Sequence, residues 1–105
     1  MKIDDYLTES TIYCKTKCDM GVLIDVIKAS NLFEPLPIEE GRERDDICFY
    51  REKIGYRQLI SLCQKEGYIQ IMVFTKTGLS NERKHLSAKL ENDVLALISY
   101  AELES

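Results

Sequence analysis

Asp46-Ile47-Cys48-Phe49-Tyr50-Arg51-Glu52-Lys53-Ile54-Gly55 fits either of two templates, and the choice between them decides the fold. Spaced as a helix, residues 42 to 54 put Ile47, Tyr50 and Ile54 on one face and Glu43, Arg44, Arg51 and Glu52 on the others. Spaced as a strand, Ile47-Cys48-Phe49-Tyr50 is a short run of β-formers. Gly55 ends the element under either template. The helix is the preferred reading, and it makes the element order strand, helix, strand, helix, strand, strand, helix. That order suits an α/β domain with a mixed sheet covered by helices on both faces. The strand reading gives an α+β order instead: strand, helix, three strands, helix.

Downstream, Leu59 to Cys63 and Tyr68 to Thr75 read as strands, joined through Gln64-Lys65-Glu66-Gly67, whose glycine suits a turn that needs positive φ. Tyr68-Ile69-Gln70-Ile71-Met72-Val73-Phe74 is apolar on both faces and is expected to be central or covered by helices. Lys76-Thr77-Gly78 closes it. Ser80 or Asn81 then caps a final helix whose stripe is Leu86, Leu90, Val94, Leu97 and Ala101.

Upstream, Phe33 to Ile38 contains Pro35 and Pro37, so a strand there is short or lies at an edge. Glu39 to Asp46 is a charge run. Asp19 to Ser30 is a helix: Met20, Leu23, Ile24 and Ile27 recur at helical spacing, and Val22 and Val26 widen the stripe until most of the circumference is apolar. Asp19 is its N-cap and Ser30-Asn31 its stop. Thr11 to Cys14 reads as the first strand. Residues 1 to 9 are a lead-in with one helical turn through Ile3, Tyr6 and Leu7.

The 105 residues make one domain, 1–105, with enough apolar character, 45%, to form a core without staples. A net charge of −4 argues against general binding to nucleic-acid backbones. No apolar run approaches the about 20 residues that cross a bilayer, and Met1-Lys2-Ile3-Asp4-Asp5 holds no signal-peptide core, so a cytoplasmic location with reduced thiols is expected. Cys14, Cys18, Cys48 and Cys63 form no pair of C-x-x-C knuckles and the single histidine is His85, so no metal is expected.

Cys18 stands where a polar turn, Lys15-Thr16-Lys17, enters the helix that begins near Asp19. A helix N-terminus favours thiolate over thiol, and Lys15 and Lys17 lower either thiol's pKa by proximity. Thr11-Ile12-Tyr13 followed by Cys18, the Phe33-to-Ile38 stretch, and Gly55-Tyr56-Arg57-Gln58-Leu59 together resemble the glutaredoxin-like proteins, in pieces across residues 11 to 64. The resemblance implies a thioredoxin-like, four-stranded sheet and a monothiol thiol-disulfide oxidoreductase, or a catalytically degenerate relative. In it Cys18 is the nucleophile and Cys14, four residues back, the candidate resolving thiol. Lys15, Lys17 and Ile60 lie on the substrate side, and glutathione is a co-substrate rather than a bound cofactor. The sequence departs from that pattern at Gly21, where the second cysteine of C-x-x-C would stand, and at Ile60, where the family has a cis-proline.

Blander readings stand beside these. Cys14, Cys48 and Cys63 suit small buried hydrophobes, and His85 a solvated surface position. Arg42, Arg44, Arg51 and Arg57 with Tyr50 and Tyr56 resemble a basic aromatic patch, but the interleaved acids cancel its field. The alternative function belongs to another class. It is a small acidic protein-binding inhibitor or immunity-type protein that meets a basic partner through Glu39, Glu40, Asp45 and Asp46. A protein partner is expected under both readings, nucleic acid and membrane under neither, and the oligomeric state is left open.

Overall fold

The computed structural model describes residues 6–14, 19–36, 47–78 and 81–104. The chain runs β1 (Tyr6–Cys14), α1 (Met20–Ser30), β2 (Glu34–Pro35), β3 (Ile47–Lys53), β4 (Tyr56–Lys65), β5 (Tyr68–Thr77) and α2 (Arg83–Glu104). The strands form one five-stranded sheet in the order β1-β5-β4-β3-β2. Every pairing is antiparallel.

The deciding stretch is a strand, which corrects the helix expected over residues 42 to 54; residues 42 to 46 lie outside the described part. The reason lies in which side chains find partners. In β3, Ile47, Phe49 and Arg51 point to one side, and Phe49 is 1% exposed against Ile60 of β4 in register. A helix would have turned Ile47, Tyr50 and Ile54 inward together. Instead Tyr50 lies on the opposite face from Ile47, and Ile54 is fully exposed in the turn. That turn is tight because Gly55 adopts φ 92°, and the Thr77 hydroxyl and Gly78 amide both donate to the Gly55 carbonyl.

The element order is therefore that of the α+β alternative, with the two-residue β2 added at the edge. Among the described residues the sheet is antiparallel and five-stranded rather than mixed and four-stranded, and both helices lie on one face of it rather than on both. The buried residues of α1 (Leu23, Ile27) and α2 (Leu90, Val94, Leu97, Ile98, Ala101) join a single cluster with Cys14, Phe49, Ile60, Leu62, Ile69, Ile71 and Val73. Side chains alternate across a strand, so these sheet residues all belong to one face. At about 1.5–3 kcal/mol for each buried aliphatic, this one-sided layer supplies the main driving force of the fold. Tyr6 to Ser10 belong to β1 and not to a helical turn.

α1 follows its sequence signals. Asp19 caps it by accepting from the Val22 amide at 3.2 Å, and Asn31 ends it in the left-handed region at φ 58°. Gly21 leaves room for that cap, since a Cβ there would sit 3.1 Å from the capping oxygen of Asp19. Gly67, at φ 83°, turns β4 into β5 as the hairpin pattern requires.

Candidate functional site: a groove between the two helices

α1 and α2 lie side by side on the covered face and pack against each other. Ala29 and Ala96 are short, and between the helices runs a groove of about 600 Å³. Val22, Val26, Leu32, Leu97 and Tyr100 supply its apolar walls, and Asp25, Asp93 and Glu104 stand along it. Val22 and Val26 are the residues that made α1 read as apolar around most of its circumference. They are half-buried because nothing among the described residues covers the groove. Tyr100, 63% exposed, and Leu32, 43% exposed, present large apolar surface at its mouth.

Asp93 ties the groove to the sheet beneath. It accepts from Arg51 Nη1 at 2.8 Å and from Lys89 Nζ at 2.9 Å. Burial alone would raise its pKa, but hydrogen bonds from Lys89 and Arg51 outweigh that and hold it below the ordinary carboxylate value. Arg51 also donates through Nε to Gln58 Oε1 at 2.7 Å, and its guanidinium lies 4.7 Å from the centre of the Phe33 ring. Gln58, 1% exposed, donates in turn to Thr75 Oγ1 at 3.0 Å and to the Leu86 carbonyl at 2.8 Å. One side-chain chain thus fastens β3, β4 and β5 to the first half of α2. Asp93 is paired with Arg51 and Lys89, and the acids that line the groove outside that cluster are Asp25 and Glu104.

The residues singled out from the sequence fall differently. Cys18, Lys15 and Lys17 lie outside the described residues, as do Glu39, Glu40, Asp45 and Asp46. Cys14 is 3% exposed at the end of β1, packed in the core cluster as a small hydrophobe, so a resolving role for it would need the strand to open. Ile60 is fully buried in the same cluster, in the middle of the covered face. Cys48 and Cys63 are half-buried on the opposite face and not in the core. His85 is exposed, as expected.

The suspected arginine patch is divided by the strands. Arg51 points into the covered face, whereas Arg57 stacks over Tyr50 at 5.2 Å on the other and pairs with Glu52 at 3.8 Å. Among the described residues no group of His, Cys, Asp and Glu is placed to hold a metal, and no helix is long and apolar enough to cross a membrane.

Sequence reasoning missed the groove, although a signal was present. Tyr100, which lines the groove, lies off the stripe of α2 and is exposed, so this helix carries apolar surface there that its contact with the sheet does not use. Neither a protein-family model nor a curated protein matches this chain.

Proposed function

We propose that this is an acidic protein-binding domain that takes a basic amphipathic helix of its partner into the groove between α1 and α2. The observation that carries this reading is the apolar trough with Asp25 and Glu104 along it. Two helices resting on a sheet offer a third helix the gap between them. Val22, Val26, Leu97 and Tyr100 suit apolar anchors at i, i+3, i+4 and i+7. The two carboxylates favour lysine or arginine flanking those anchors, steering the encounter and fixing its orientation. The chain's net charge of −4 acts in the same direction over longer range.

The test uses a synthetic helical peptide with leucines at those four positions and lysines at the rest, read by fluorescence anisotropy. The native chain is expected to bind it in the micromolar range and to leave a glutamate version unbound. Ala96→Arg, which fills the groove, and the pair Asp25→Lys with Glu104→Lys are each expected to weaken binding about tenfold or more. Equal binding of the lysine and glutamate peptides, or of neither, overturns the reading.

A further inference from the structure

The face of the sheet turned away from the helices is apolar at its centre, and no described element covers it. Register and alternation place its side chains in rows. Phe74, Leu59 and Tyr50 form one row, Met72, Ser61 and Cys48 the next, then Gln70 and Cys63. Tyr13 and Tyr68 stack edge to face at one end with ring centres 5.7 Å apart. Leu59, Met72 and Phe74 belong to strands whose other face carries the buried Gln58, Ile60, Leu62, Ile71 and Val73, yet none of the three is part of the core cluster or packed against it.

The charges on this face are sorted by position. Among the described residues, the bases sit at the strand ends: Arg57 and Lys76 at one, Lys65 at the other. The acids are on the outer strands: Glu9 on β1 and Glu34 on β2 in the middle row, and Glu52 on β3 beside Arg57, with which it pairs. Three bases balance three acids, so the face is neutral on a chain of net charge −4.

We propose that this face is a homodimer interface in which the sheets of two copies cross at nearly a right angle. Sheets pack face to face either aligned or orthogonally. Aligned about an axis along the strands, the two-fold operation lays Arg57 against Lys76 of the second copy, and Glu9 toward its Glu52 and Glu34. Turned by a quarter, it exchanges strand ends for flanks. Lys65 then meets Glu9 of the second copy, Arg57 meets its Glu34, and Phe74, Leu59, Met72 and Tyr50 close over their counterparts. An isologous contact needs a self-complementary patch, and this arrangement supplies one. The proposal uses none of the groove residues, so it stands or falls apart from the binding reading above.

Light scattering after size exclusion gives the first readout. The native chain at tens of micromolar is expected at twice its 12.1 kDa mass. Phe74→Asp is expected at the single-chain mass with an unchanged far-ultraviolet circular dichroism spectrum. Surface charge swaps, which leave the core alone, form the second arm. Lys65→Glu and Glu9→Lys are each expected to raise the dimer dissociation constant about tenfold, and the double variant to restore it. A single-chain mass for the native protein overturns the proposal; if Cys63 then labels slowly, the face is covered from within the same chain. A dimer that survives Phe74→Asp overturns it too, and swaps that fail to compensate overturn the crossed arrangement.

Discussion

The two faces of the sheet are built from the same strands and differ in what they demand of a side chain. On β4, Leu62 is fully buried beneath the helices, whereas Leu59, three residues earlier, sits half-buried on the open side. The covered face buries Phe49, Ile60, Leu62, Ile69, Ile71 and Val73 under the helices, and a line of hydrogen bonds runs through it from Thr75 through Gln58 and Arg51 to Asp93. The open face has apolar residues of similar size with no described layer above them. An amino-acid type thus says little about its contribution to stability until the opposing layer is known, and the apolar residues of the open face are the ones the proposed dimer would bury.

Substituting the two leucines breaks or sharpens this comparison most directly. Leu62→Ala is expected to cost about 2–5 kcal/mol in urea unfolding, and Leu59→Ala under about 1.5 kcal/mol when measured at high dilution. Equal losses would mean that both faces are buried in a single chain. Next comes the polar line. Gln58→Leu strands Arg51 Nε and the Thr75 hydroxyl beneath the helix and is expected to cost about 2 kcal/mol, with an unchanged dependence on urea.

Asp93 gives a smaller, pH-dependent effect. Its pKa is lowered in the folded chain, so its contribution is complete above the ordinary 3.8 and is lost as pH falls through the lower folded value. Asp93→Asn is expected to be less stable than the native chain at neutral pH, with a shallower loss of stability below pH 3.8. If the curves of the native chain and the Asp93→Asn variant run parallel there, Asp93 is not the group responsible. The mildest probe is thiol labelling read by mass spectrometry. Cys14 is expected to label only as fast as the chain unfolds. Cys63 is expected to label in the folded protein, and faster on dilution as the dimer separates.

What the sequence discloses follows the same division. α1 was legible because its signals are local: Asp19 caps, Asn31 stops, and the apolar spacing between them is short-range. The turn at Gly67 was legible for the same reason. β3 was misread because its inward row is Ile47, Phe49 and Arg51. An arginine in a buried row hides the alternation, and the groups that accept it there, Gln58 and Asp93, are 7 and 42 residues away in sequence. Thr8 and Ser10 disguise β1 in the same way. They face inward, and the Ser10 hydroxyl donates at 2.6 Å to Glu91, 81 residues on.

β5 was correctly read as apolar on both faces and central, but one sequence cannot tell which apolar face its own helices cover. The groove was hidden because it depends on two short residues, Ala29 and Ala96, from helices far apart in the chain.

The line through Thr75, Gln58, Arg51 and Asp93 also bears on how the chain avoids wrong structures. An apolar row of valines, leucines and isoleucines tolerates a two-residue slip between strands, because one branched side chain replaces another. A glutamine wedged under a helix does not. Slipped by two toward Val73, Gln58 would lose Thr75, its register neighbour across β4 and β5, and face an apolar side chain with its amide unsatisfied. Since the same amide also requires the Leu86 carbonyl, α2 can dock fully only on a sheet already in its correct register. The polar line therefore acts as a checkpoint, letting α2, which follows the strands in the chain, seal only a sheet that has been assembled without error.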